Sequence, residues 1–334
     1  MKAFNVYDIN LNRIGTVETW VSLLWQEGYN TVGSFVIECQ RTKEIAKLLK
    51  VGNYIGRGDF KTLCLIRSVE VKEHKIVANG HPAINILDER ISTKVIDNQN
   101  GEEAMRELIS EMAAWPCVEL GELSGIEDVF KRQISDKTVL EYCEEIAAEI
   151  DAGFRMRFDR TNKKLLFEVY KPHKNENIIF AEKFGNLANI TYSETDNQFK
   201  NVAIVAGAGE GEERITVQVG NLTAEGAERR EIYVDARNTQ PEDGESEEDY
   251  ITRLKNLGFE KLAEQIKIQN LDAEINSADF GKRYSLGDVV TCNLDELGIK
   301  LETRIIGFSY KSQNNQTNTE LEFGTPIIRR RRRG

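Results

Sequence analysis

The alternation of apolar and polar positions is clearest between Tyr284 and Gly324. The turn Leu286-Gly287-Asp288 opens a short β-run, Val289 to Cys292, and a longer run follows from Ile299 to Tyr310. Leu301, Thr303 and Ile305 fall on one face of this run and Glu302 and Arg304 on the other, the period of a half-buried strand. Lys311 to Asn318 contains no apolar residue and reads as a hairpin loop, with Thr319 to Phe323 as the return strand. An earlier stretch repeats the layout. Val51-Gly52-Asn53-Tyr54-Ile55 turns into a short strand, Lys61 to Val71 is a long β-rich run, Lys72 to Lys75 is a charged turn, and Ile76 to Gly80 returns. Ile66-Arg67-Ser68-Val69 stands beside Ile305-Ile306-Gly307-Phe308, and Gly80 beside Gly324. The layout points to two similar β-barrels in one chain.

Elsewhere the pattern predicts further strands at Ala3 to Tyr7, Arg13 to Val17, Val21 to Trp25 and Ser34 to Cys39, then a short helix over Thr42 to Lys50. A β-barrel or sandwich thus extends to about residue 96. Beyond Asp97-Asn98-Gln99-Asn100-Gly101 the period changes. Met105, Leu108, Ile109 and Met112 give a helix over Glu102 to Trp115, ended by Pro116. A second helix starts after Ser135 or Asp136 and runs to about Ile150, followed by the hairpin Phe154 to Tyr170. From Asn189 the chain is β again, with runs at Ile190 to Ser193, Asn201 to Ala206, Arg214 to Val219 and Glu231 to Val234. A helix capped by Ser246 or Glu247 interrupts it, with Ile251, Leu254, Leu257 or Phe259, Leu262 and Ile266 as its stripe.

Composition agrees with a folded, multi-domain chain: 334 residues, 40% hydrophobic, 30% charged. No apolar run is long enough to span a bilayer, and the N-terminus has no apolar signal core. The formal net charge is −11, or −16 without the five arginines Arg329 to Arg333, which argues against a nucleic-acid-gripping body. The arginine run reads as a solvated terminus or as an arm for an acidic neighbour. Cys39, Cys64, Cys117, Cys143 and Cys292 are scattered in apolar contexts and read as buried thiols.

Candidate chemistry is thin. Gly207-Ala208-Gly209-Glu210-Gly211 follows an apolar strand, but a dinucleotide fingerprint needs glycine at 212, where Glu stands. Three glutamates would repel phosphate and a strand follows, so a hairpin loop is the reading. His74, His81 and His173 share no metal-ligand spacing. Glu144-Glu145 and Glu247-Glu248-Asp249 lie on polar helix faces, where solvation explains them. No catalytic, cofactor or metal residue is expected, and no enzyme activity.

The order and spacing of Gly33-Ser34-Phe35-Val36-Ile37-Glu38, Val51 to Ile55, Ile66 to Glu70 and Val77 to Gly80 resemble those of siphophage tail hub (tail-associated) proteins. Tyr284 to Val290, Arg304 to Phe308 and Leu321 to Gly324 resemble the end of the same family, which is akin in fold to the central hub of contractile-tail baseplates. The resemblance implies an α+β, mainly β fold with two tail-tube-like β-barrels flanking a small α/β domain. The domains would be 1–96, 97–186 and 187–325, with a helical insertion near 246–266 and a basic tail at 326–334. It also implies a homotrimeric, pseudo-sixfold ring in the virion tail, synthesised in the bacterial host cytoplasm. Its partners would be a distal tail protein or tail-tube ring, a tape-measure protein and tip or receptor-binding proteins, with DNA only in transit. No stable membrane insertion is expected. Many tail-associated proteins continue into a fibre or a cell-wall hydrolase; this sequence has no such part, which places lysin activity in doubt. The alternatives are a glycan-binding adhesin, in which Trp20 or Trp25 would stack on sugars, and a peptidoglycan hydrolase using a carboxylate pair.

Overall fold

The computed structural model describes residues 3–111, 117–131, 133–209, 211, 214–241, 244–263, 265, 268–275, 279–313 and 316–324. The chain divides into two compact units, residues 1–191 with 271–334, and residues 192–270. It is mainly β with a helical minority, an α+β fold.

The first unit begins with β1 (Phe4–Tyr7), β2 (Arg13–Val17), β3 (Ser22–Gly28) and β4 (Phe35–Gln40). Helix α1 (Lys43–Leu48), capped by Thr42, leads to β5 (Tyr54–Arg57), β6 (Cys64–Val71) and β7 (Lys75–Pro82). A 3-10 helix at Ala83–Glu89 then leads into the middle of the chain. There β8 (Ile91–Ser92), β9 (Gln99–Asn100), β10 (Val118–Leu120), β11 (Val129–Phe130) and β12 (Lys137–Thr138) surround two helices, α2 (Gly101–Glu111) and α3 (Val139–Glu149). The helices pack with β13 (Gly153–Asp159) and β14 (Lys164–Tyr170), which form a three-stranded sheet with β10. α2 begins one residue before the expected start; Met112 to Pro116 lie outside the described residues. The cap of α3 is Thr138, in a capping box with Glu141, rather than Ser135 or Asp136. A Thr three residues before a Glu satisfies two backbone donors at once, which an isolated Ser or Asp does not.

The last part of the first unit contains β15 (Lys174–Ala181), the start of β16 (Leu187–Thr195), most of β20 (Ile268–Ile275), then β21 (Val289–Leu294), β22 (Ile299–Gln313) and β23 (Gln316–Gly324). The expected loop over Lys311 to Asn318 is largely strand, with Lys311 facing Asn318, Ser312 facing Thr317 and Gln313 facing Gln316. Polar pairs extend the ladder here because Ser312 is buried and accepts a hydrogen bond from Trp20 Nε1 at 3.0 Å. Burial of a hydroxyl leaves no hydrophobic signature.

The strand order is β16-β20-β23-β22-β3-β4-β7-β6-β5-β1-β2, with β15 added beside β21. β22 and β3 pair from Gly307–Gly28 to Gln313–Ser22, so the early and late strands share one sheet. Among the described residues neither half closes into a barrel of its own. The two halves nevertheless correspond in sheet order and in chain order, β3-β4-β7-β6-β5-β1 with β16-β20-β23-β22-β21-β15, except that β1 runs antiparallel to β5 whereas β15 runs parallel to β21.

The correspondence reaches single hydrogen bonds. Gly52 (φ +91°) and Gly287 (φ +92°) both take a left-handed turn open to glycine. Gly52 N donates to Ile66 O at 3.0 Å and Ile66 N to Asn53 O at 2.9 Å; Gly287 N donates to Ile305 O at 2.8 Å and Ile305 N to Asp288 O at 2.9 Å. In each half a β-bulge follows, between Ile66 and Ser68 and between Ile305 and Gly307. A bulge bends its strand. At this point β22 leaves β21 and pairs with β3.

The sheet's core face carries a row straight across six strands, Thr319, Tyr310, Trp25, Phe35, Gly80 and Ile66. Phe60 packs on this row, its ring 4.9 Å from Trp25 and 5.8 Å from Tyr310, and the buried Arg57 guanidinium lies 4.2 Å from the Phe60 ring and 4.1 Å from Tyr310. The middle segment joins both the early and the late ones through polar contacts. Tyr29 Oη and Asn30 Nδ2 donate to Ala152 O, Tyr170 Oη donates to Leu286 O, and Arg304 pairs with Asp151 at 2.8 Å.

The second unit has its own sheet, β17 (Val202–Ala206) between β18 (Thr216–Gly220) and β19 (Glu231–Asp235), covered by α4 (Glu247–Ala263). Tyr250 and Leu254 of α4 are buried on Ala203, Val205 and Val219. Ser246 Oγ accepts from Asp249 N at 3.1 Å, the capping role expected of it. Ile266 lies outside the described residues.

Candidate functional site

The residues singled out for chemistry do not converge. Gly207 and Ala208 belong to the turn of a hairpin, in which Ala206 faces Thr216, Gly207 N donates to Ile215 O, and Ile215 N donates to Ala208 O. Arg214 holds that turn, donating to Gly207 O and Ala206 O at 2.9 Å. Glu210, Glu212 and Glu213 lie outside the described residues. His74 is exposed in the β6–β7 turn, His81 Nδ1 is 3.0 Å from Gly33 O, and the exposed His173 ring is 3.7 Å from Asp288. Among the described residues no group of His, Cys, Asp and Glu could hold a metal ion.

Glu247, Glu248 and Asp249 are exposed as expected. Glu145 is not: it is buried and paired with Lys137, because α3 turns this side against β12. All five cysteines are buried, and burial pushes the Cys39 and Cys292 thiols up to about 12, away from thiolate chemistry. Trp25 is fully buried and offers a sugar no open ring face, while Trp20 is half-buried, with its ring in a T-shaped contact with Phe4 at 5.4 Å. Arg329 to Arg333 lie outside the described residues.

What the strands do assemble is one continuous polar face on the side of the sheet opposite the core. One row runs Asn318, Lys311, Leu24, Val36, Asn79 and Ser68, and the next runs Gln316, Gln313, Ser22, Glu38, Val77 and Glu70. Asp272 and Glu274 of β20 and Glu320 of β23 add carboxylates; Glu274 accepts from Asn318 Nδ2, and Lys311 pairs with Glu320. Lys75 pairs with Glu38 at 2.8 Å. Burial, and then the nearby Glu320, hold the Asp272 carboxyl above its ordinary value, with Lys311 opposing them. The face is therefore mainly polar and acidic, with lysines interspersed, small amide and hydroxyl side chains between, and Leu24, Val36 and Val77 half-buried among them. It has the chemistry of a surface that stays wet and does not grip a polyanion.

These carboxylates escape a reading by motif, because each is an ordinary outward position of an alternating strand. Only strand order brings them together. Glu27 is hidden for the opposite reason. It occupies a core-face position of β3, where its Oε1 accepts from Trp25 Nε1 at 2.7 Å and Thr62 Oγ1 at 2.8 Å. Burial raises its pKa despite those two donors. Alternation predicts an apolar residue there.

A family model described as Siphovirus ReqiPepy6 Gp37-like protein matches residues 3–325. No curated protein matches the chain. Among solved structures the fold is similar to that of the tail protein from Neisseria meningitidis MC58, with a TM-score of 0.64 at 12% identity over 97% of this chain and 96% of that one. It is similar to the 43 kDa tail protein of prophage MuSo2 from Shewanella oneidensis, at 0.64 and 10% over 96% and 98%. It is also similar to prophage tail protein gp18 from Listeria monocytogenes EGD-e, at 0.59 and 12% over 98% and 95%. At such identities the likeness is one of fold.

Proposed function

The chain belongs to the Siphovirus ReqiPepy6 Gp37-like family, and on that premise we propose that it is the structural hub of a phage or phage-derived tail tip. Three copies form a pseudo-sixfold ring that joins the tail tube to the distal tip and passes DNA when it opens. The observation that carries this reading is the repeated strand order within the first unit. Two equivalent motifs per chain and three chains per ring supply the six positions needed to meet a sixfold tube.

On this reading the acidic face of the shared sheet lines the passage, so that DNA slides past and is not held. The organisation that goes with it is two tube-like domains, 1–96 and 187–325, around 97–186, with β15 serving as the first strand of the later one and 326–334 as a basic tail. The protein works by shape and assembly, without catalysis. It meets a tube ring or distal tail protein above, and tape-measure and tip or receptor-binding proteins around it, in the virion tail.

The test is the absolute mass of the purified protein by light scattering, with negative-stain imaging. Ring-shaped particles of three times 38.0 kDa support the hub. A species of any other stoichiometry, or compact particles without a central opening, overturns it. For the passage, Glu38→Lys with Glu320→Lys should convert a ring that ignores duplex DNA in a gel-shift assay into one that retains it.

A further inference from the structure

Internal repetition assigns a partner to two strand edges that have none within the chain. β22 follows its bulge by pairing with β3. The equivalent stretch of β6, Ser68–Val71, pairs on one side with β7; on the other side the pairing with β5 ends at Leu65 and the Gly52 turn takes Ile66. Among the described residues that second side has no strand. Among the described residues β16, the equivalent of β3, likewise has β20 on one side and no strand on the other. One open edge therefore corresponds to β22, the other to β3.

The side chains along these edges carry the same message. Counting from the bulges, Val69 corresponds to Phe308 and Val71 to Tyr310. Phe308 and Tyr310 are 5% and 8% exposed, covered by Glu27 and Trp25 directly across on β3, whereas Val71 is 58% exposed. Val71 nonetheless sits on the core face, opposite the buried Ile76. β16 has a matching cover, with Ile190 and Tyr192 half-buried at alternate positions while Thr191 and Ser193 are exposed. An unpaired edge bearing an uncovered apolar residue is a site where a strand of another chain adds.

We infer that Ser68–Val71 of one copy pairs antiparallel with β16 of the next, repeating between chains the seam that β22 and β3 make within each chain. This rests on the trimeric reading above and names the contact that closes the ring. The partner is a second copy of this chain, because the only geometry for the seam is one that the chain already uses on itself. The contact is head-to-tail, and three such seams alternate with three internal ones. The new seam is also the shorter, four residues of β6 against seven paired residues of β22.

The test compares wild type with Val71→Lys by light scattering, thermal melting and hydrogen exchange. Expected are a wild-type trimer, a variant that has lost the trimer yet still melts cooperatively at a Tm independent of concentration, and slow exchange at Ser68–Val71 and along β16 in the trimer only. A variant that stays trimeric, with those amides exchanging as in the monomer, overturns this seam and leaves the trimeric hub standing. A wild-type protein that stays monomeric at high concentration overturns the hub ring and the seam together.

Discussion

The early and late copies of the six-strand motif share a turn, a bulge and a strand order, and differ in how much is loaded on each part. In the early copy the Gly52 turn stands clear, with nothing within 4 Å of an added Cβ. In the late copy the Tyr29 ring would lie 2.5 Å from a Cβ on Gly287, and Pro172 follows at 3.1 Å. Beside it, Asp288 is buried and its carboxylate accepts from His173 N and Ser285 N, both at 2.9 Å, while Asn53 donates to Leu48 O at 2.8 Å. After the bulge the late copy presents Phe308 and Tyr310 to β3, where the early copy has Val69 and Val71. One backbone device thus serves an internal joint in one copy and an edge in the other. The backbone repeats where hydrogen bonds define the motif; side chains diverge where the neighbours differ.

Substitutions at paired positions sharpen this contrast. The largest effect is expected at the core row. Tyr310→Ala should cost about 3–5 kcal/mol in denaturant unfolding, and Val71→Ala within about 0.5 kcal/mol of nothing. Equal costs at the two positions would break the assignment of one to a joint and the other to an edge. Next come the glycines. Both hold φ near +90°, so Gly52→Ala should cost about 1–2 kcal/mol from backbone strain alone. Gly287→Ala adds overpacking against Tyr29, another ~1–3 kcal/mol. Unfolding midpoints of the two variants, measured side by side, decide whether crowding separates them.

A subtler contrast lies in pH. Burial raises the pKa of Glu27 at the β3–β22 seam, so the fold favours its neutral form. Its stabilising contribution is present in full below the ordinary carboxylate pKa and is lost as pH rises through the raised value. Glu27→Gln should flatten the decline of stability from about pH 4 into the neutral range. An unchanged pH profile would show that Glu27 is already solvated. The smallest effect is expected at Glu70, exposed on the early copy's edge, where Glu70→Gln should leave the Tm unchanged.

Much of this repeat is legible in the sequence. Glycine in the turn and isoleucine before the bulge are local signals at matching positions, whereas the glycines of the return strands are one position out of step: Gly80 faces Ile66, but Phe323, not Gly324, faces Ile305. What escapes has physical reasons. β15 opens with Lys174-Asn175-Glu176-Asn177 and shows apolar residues only from Ile178, because it pairs irregularly and in parallel with β21. The strands β17, β18 and β19 carry correct alternation, but alternation does not say which sheet a strand joins. They form a separate sheet under α4 where a single late barrel was expected to include them. The acidic face and the half-buried Glu27 depend on strand neighbours far apart in the chain, and no window of sequence contains them.

The second unit departs from the chain between β16 and β20, at the place where the early copy has only the connection from Tyr29 to Ser34. Neighbouring strands of a sheet lie about 5 Å apart, so a segment entering from one and leaving by the other asks almost nothing of the frame. In the language of protein engineering this is a grafting port. A folded module can be exchanged there, or cut back to a tight turn, with the sheet left to fold as before. An exchange of this kind would change what the chain carries while leaving the order of the sheet as it is.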